Sequence, residues 1–244
     1  VVYVSDDFDN ALQFSSVLSI EFLLENLVPE LAEALGDSDD MAMGDMCEDG
    51  FRLIAHDAGE TCIPESPERI IVLDEGTMAD LLALGVTPMA VMDWGVGDYA
   101  PYLAVDNTIV ASVGSPEGPN FEAMLSLEPD LILGRAEDIQ WFQENALEFI
   151  QETGPTVLSP HTFLDWKGHF LFLGDVVNKQ EEAEASVEAY DVRLGEFRDA
   201  WMASGNDATI SIIRSRADSF NIYASETFIG EMVMEAGLQM PESF

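Results

Sequence analysis

Positive charge is what this sequence has least of. Its 244 residues carry nine Lys and Arg against 47 Asp and Glu, a formal net charge of −38. A surface this acidic repels phosphodiester backbones and anionic lipid headgroups, which argues against nucleic-acid and membrane-surface roles. It stays hydrated at high ionic strength, where the self-repulsion is screened, and hints at a marine or salt-rich setting. Histidine is scarce too. His56, His161 and His169 form no ligand-like cluster, and the spacing of the two cysteines fits no zinc pattern, so no resident metal or cofactor is expected. No apolar run reaches the roughly 18 residues that a bilayer span needs. G-x-S-x-G, P-loop and H-E-x-x-H motifs are all missing, and "GVG" at Gly95–Gly97 lacks the third glycine of a dinucleotide fingerprint. Carboxylate pairs carry little information among 47 acids. The chain does not read as an enzyme.

What is present is ordered along the chain. Residues 1–46 read as a helical extension and an acidic linker. Ser15–Leu35 is amphipathic and interrupted at Pro29, with no basic segment of the signal-peptide kind, and "GDSDDMAMGD" comes next. Cys47 and Cys62 then bracket a predicted hairpin, Phe51–Ala55 and Thr61–Ile63 about a turn at Asp57–Gly59. Cysteines at the two ends of a hairpin lie side by side. A bridge there closes a loop of about 15 residues, worth roughly 3 kcal/mol on the chain-entropy view, and suits an oxidising, exported setting.

From Arg69 the pattern becomes regular. "RIIVL", "PMAVM", "TIVASVG", "DLILG" and "PTVLSP" read as five strands. "GTMADLLALG", "NFEAMLSLEP" and "AEDIQWFQENALEFIQETG" read as helices between them. Apolar strands alternating with helices predict an α/β lobe with a parallel sheet covered on both faces, over residues 47–165. Residues 166–205 are helical, with Ala183, Val187, Tyr190, Leu194 and Phe197 on one stripe. Strand pattern resumes in 206–244 with "TISIIR", "SFNIYA" and the helix "FIGEMVMEAGL". That is the start of a second α/β lobe, incomplete in this chain. Ligands of such sheets bind at the carboxyl ends of the strands, so the residues just after each strand are the ones to watch.

"GETCIPESPERIIVLDEGTMADLLALGVTPMAV" and "VGSPEGPNFEAMLSLEPDLILG" resemble the substrate-binding proteins of iron-siderophore, haem and cobalamin ABC importers. Residues 59–91 and 113–134 carry the likeness, and 50–240 match its order of elements. The resemblance implies two Rossmann-like lobes joined by one long, stiff helix, with the ligand in the cleft between them. It implies a monomer exported to the periplasm or held at the outer face of the membrane, which hands a ferric siderophore to ABC permease subunits. Haem or cobalamin as ligand, and a chelatase-like enzyme on a similar frame, are the alternatives.

Candidate ligand contacts are read from the strand ends. Arg135 comes after "DLILG", and Arg214 and Arg216 end "TISIIR". Guanidinium groups suit an oxygen-rich anionic chelate. Trp94, Tyr99 and Tyr102 lie in the loop after the second strand, where aromatic rings could flank a chelate. Gly76 and Thr77 in "DEGT" offer backbone and hydroxyl donors beside the awkward acids Asp74 and Glu75. Ser115 stands at the cleft mouth and Tyr223 on the second lobe. His161 is the residue that a haem reading would need. By the resemblance, Glu122 on the first lobe and Glu235 (or Glu231) on the second would dock onto the permease.

Overall fold

The computed structural model describes residues 47–94, 110–215 and 219–241. The chain divides into two compact units, Val1–Glu48 and Asp49–Phe244, and the second holds every described strand and helix. The predicted N-terminal helix and linker lie outside the described residues, as do Tyr99, Tyr102 and Arg216.

Strands β1 (Phe51–His56) and β2 (Gly59–Pro64) form the predicted antiparallel hairpin. Both cysteines are disulfide-bonded. The main sheet is built from β3 (Ile70–Val72), β4 (Ala90–Val91), β5 (Ala111–Ser112), β8 (Leu131–Arg135) and β9 (Thr156–Ser159). Its order is β5-β4-β3-β8-β9 and every pairing is parallel. A small hairpin of β6 (Gly114–Ser115) and β7 (Gly118–Pro119) comes after β5.

Successive residues of each strand face opposite sides, and both sides are apolar. Ile70, Val72, Leu131 and Leu133 enter one core cluster. Ile71, Leu73 and Ile132 enter the other. The first cluster is closed by α1 (Glu75–Ala83), through Met78 and Leu81, and by α4 (Trp166–Val176), through Phe170, Leu173 and Val176. The second is closed by Met124 of α2 (Phe121–Ser126) and Ile150 of α3 (Ala146–Thr153). Asp74, Asn120 and Asp165 cap α1, α2 and α4 by accepting amide hydrogen bonds from the first turn.

Two differences from the sequence expectation have local causes. The predicted single helix over 136–153 is a 3-10 turn, Ala136–Trp141, and then α3. Phe142 is extended, Asn145 is left-handed (φ 65°), and the Gln143 amide bonds the Pro116 carbonyl at 3.0 Å. A tertiary bond thus replaces a helical one. The predicted boundary at 165/166 also moves, because α4 packs into the first lobe's core. The long connecting helix is α5 (Gln180–Ala203), 24 residues, of which only the first turns touch that core, through Ala183 and Val187.

Beyond α5, β10 (Ile212–Ser215) and β11 (Phe220–Tyr223) pair antiparallel. Next comes α6 (Phe228–Glu235), capped by Thr227, and Thr209 bridges to Gln239 in parallel. Lys167 of α4 donates to Asp191 of α5 (2.7 Å) and to Glu235 of α6 (2.8 Å), so one ammonium ties three helices.

Candidate functional site

The first and fourth strands of the main sheet, β3 and β8, are neighbours, and their chain connections run to opposite sides. Their carboxyl ends form the switch point at which open α/β sheets bind ligands. The chain leaves β3 through Leu73 into Asp74, the cap of α1. Thr77 donates to Asp74 twice, from its amide (2.7 Å) and its hydroxyl (2.6 Å). β8 ends on Arg135, whose Nη1 lies 3.4 Å from Asp74 and whose Nη2 lies 3.8 Å from Asp80. The guanidinium is buried, and its Nε has no partner among the described residues.

His169 of α4 completes the cluster. It is wholly buried, with Nε2 3.3 Å from the Thr77 hydroxyl and 3.6 Å from Asp80. Because that hydroxyl donates to Asp74, His169 must donate from Nε2, leaving Nδ1 bare. Nδ1 indeed has no partner among the described residues. Burial, then the Arg135 charge, pushes the His169 pKa down to about 3, so the ring is neutral. Burial pushes Asp80 up to about 7; Arg135 opposes this and Asp74 adds to it. Asp138 is raised to about 6 by burial and by Asp74. The switch point is therefore crowded with carboxyl groups around one buried cation.

A cavity of about 710 Å³ opens beside this cluster. The segment after β9 supplies Phe163 and Leu164, and the second lobe supplies Ile213, Arg214, Tyr223 and Phe228. Arg135 Cζ lies 5.7 Å over the Phe163 ring, and Phe163 packs against Phe228 with centroids 5.0 Å apart. The Phe163 ring thus joins the switch point to the cavity. A volume within the roughly 300–1,000 Å³ range, aromatic walls and a few polar groups are the marks of a small-molecule site.

Residues 70–242 match the sequence profile of the periplasmic binding protein family. This chain belongs to that family. The probable siderophore-binding lipoprotein YfiY of Bacillus subtilis is 30% identical over 212 residues, 86% of this chain and 63% of that one. The Fe(3+)-citrate-binding protein YfmC, also of Bacillus subtilis, is 25% identical over 189 residues, 76% of this chain and 58% of that one. Among solved structures, Staphylococcus aureus SirA complexed with staphyloferrin B superposes with a TM-score of 0.64 at 26% identity, covering 78% of this chain and 64% of that one. The chain therefore spans about 60% of the length of the curated relatives it matches.

Arg214 and Tyr223 both line the cavity, on adjacent strands. The first-lobe candidates lie at the switch point but turn inward. Thr77 is buried with its amide and hydroxyl spent on Asp74, which corrects the expectation of a free donor. Arg135 is ion-paired and buried, with one face on Phe163. Gly76 is required by close approach. A Cβ there would sit 2.9 Å from Asp74 Oδ1 and 3.1 Å from Arg135 Nη1. Trp94 gives its amide to Glu75 and its indole N–H to the Leu73 carbonyl (both 2.8 Å), so only its ring, near Phe142, remains to contact a ligand. Asp74 and Glu75, the awkward acids, both point aside into these bonds. Ser115 is half-buried, in the β6–β7 hairpin.

His161 bonds Asp165 at 2.6 Å, a loop-fixing contact. Glu122 is exposed in the first turn of α2. Glu235 holds Lys167 and accepts from Tyr190 (3.3 Å). Glu231, one turn earlier, is the exposed acid of α6. Asp80, His169, Phe163 and Phe228 were missed as site residues. The one sequence signal was the apolar stripe Phe170–Leu173–Val176, which places His169 on the buried face of its helix.

Proposed function

We propose that this chain is the ligand-capturing part of an extracytoplasmic binding protein that delivers a ferric siderophore or similar iron chelate to an ABC importer. The observation that carries the reading is the cavity beside the switch point, where Arg214 and Tyr223 of the second lobe face Phe163 of the first. A guanidinium and aromatic faces are the groups that hold an oxygen-rich chelate. Family membership supports it, as do relatives named for siderophore and Fe(3+)-citrate binding. Export fits the disulfide-bonded cysteines. The reading assigns no chemistry on the ligand. The permease partner would meet Glu122 and Glu231.

The test is intrinsic tryptophan fluorescence of the purified chain, titrated with ferric catecholates, ferric citrate, ferric hydroxamates, haemin and cobalamin. Saturable quenching by an iron chelate at micromolar concentration is expected. A response to haemin or cobalamin alone, or to nothing, would sink the proposal.

A further inference from the structure

Charge around the cavity restricts what it takes. Behind Phe163, outside the lining itself, Arg135 is already shared between Asp74 and Asp80. The lining residues that the first lobe supplies, Phe163 and Leu164, carry no charge. The hollow next to the cavity, about 200 Å³, shares Leu164 and Phe228 with it. It adds Asp165, Glu231 and Glu235 against the single Lys167. On the cavity lining itself, Arg214 is the one cation among the described residues. It is exposed and in no ion pair among them. The rest of the lining is Phe163, Phe228, Tyr223 and aliphatic side chains.

Two costs result. Stripping water from a multiply charged ion in an aromatic cavity is expensive unless each charge meets a partner, and one guanidinium answers one charge. The chain as a whole carries −38, which slows and weakens the approach of any anion at low salt. Ring faces are the plentiful resource. Phe163 and Phe228 are tilted against each other at 55°, leaving ring surface for a flat aromatic group.

Resting on the function proposed above, we infer that the cavity selects a ferric chelate that is neutral or singly anionic and carries an aromatic donor ring. The ring packs on Phe163 and Phe228, and the anionic group meets Arg214. A trianionic tris-catecholate is disfavoured.

The test uses the full chain and four probes: a ferric phenolate–oxazoline chelate, a neutral aliphatic ferric trihydroxamate, ferric citrate and a trianionic ferric tris-catecholate. Affinities are read by fluorescence at about 0.05 M and about 0.5 M salt, which brackets strong and weak screening. The phenolate–oxazoline chelate is expected to bind at least about tenfold tighter than the tris-catecholate at low salt. Its affinity should change little with salt, while that of the tris-catecholate rises. Arg214→Gln should weaken a singly anionic chelate and leave the neutral trihydroxamate unchanged, and the exposed position of Arg214 keeps the fold intact. Equal or tighter tris-catecholate binding at low salt would overturn the inference and leave the iron-chelate function standing. So would a trihydroxamate as tight as the aromatic chelate. Binding of none of the four would overturn the function itself.

Discussion

Asp74→Ala is the sharpest probe of the switch point. The Asp74 carboxylate does two jobs: it caps α1 and it neutralises Arg135. Both side chains are more than nine-tenths buried. Removing one partner of a buried pair typically costs about 3–5 kcal/mol, because the other charge stays buried and unpaired. Loss of an N-cap typically costs about 1 kcal/mol. Asp80, 3.8 Å from Arg135, offsets part of the first cost. A loss of about 3–4 kcal/mol is therefore expected. Asp74→Asn should lose less, since an amide oxygen still caps the Thr77 amide. Asp74→Ala/Arg135→Met should recover much of the loss, because both charges leave together. Urea unfolding, monitored by far-UV circular dichroism and by tryptophan fluorescence, reads these differences. With a slope near the upper end of about 1–3 kcal/mol/M, the Asp74→Ala midpoint falls by more than about 1 M. Coincidence of the two probes establishes two-state unfolding. A cost below about 1 kcal/mol for Asp74→Ala, or additive costs in the double variant, would refute the buried-pair account.

Asp80 and His169 should show opposite pH dependences. Folded Asp80 keeps its proton up to about pH 7, while the unfolded carboxyl releases it near 3.8, so stability linked to Asp80 falls as pH rises through that window. Folded His169 stays neutral down to about pH 3, while the unfolded ring is protonated below about 6.5, so stability linked to His169 falls as pH drops. The two slopes, each up to about 1.4 kcal/mol per pH unit, cancel where the windows overlap. Asp80→Asn should expose loss on acidification and His169→Gln loss toward neutrality, in urea midpoints taken at intervals between them. Matching profiles in the two variants would contradict this. Separately, Lys167→Met should raise amide exchange across α6 while leaving β3 and β8 protected, because Lys167 is the tie to Asp191 and Glu235. Unchanged exchange in α6 would show that the tie does not hold that helix.

The sheet was legible because its strands are continuous apolar runs, Ile70–Val72 and Leu131–Leu133 above all, and because Asp74 and Asn120 announce the helices after them. The break at Asn145 was not, since it depends on a bond from Gln143 to Pro116, far off in sequence. The cavity was half legible. Arg214 and Tyr223 were singled out as strand ends, but their strands pair antiparallel, so the parallel-sheet rule does not explain why both line the cavity. The bonds that Thr77 and Arg135 make to Asp74 were not legible, because pattern places a residue at a strand end without telling which neighbour claims its polar atoms. His169 and Asp80 stand 89 positions apart, and only the packing of α4 over α1 brings them within 3.6 Å.

The root of α5 is unusually close to the first lobe. A side chain on Gly174 of α4 would meet the Ala183 methyl at 2.5 Å, so the two backbones touch where only hydrogen and methyl groups fit. From that contact at Ala183 the helix runs on to Ala203, about 30 Å at 1.5 Å per residue. It works as a lever. A swing of about 5° at Gly174 carries its far end about 3 Å, roughly the length of one hydrogen bond. In the proposed site the aim of Arg214 is thus set at a glycine a whole helix away, where an added methyl group would press on Ala183.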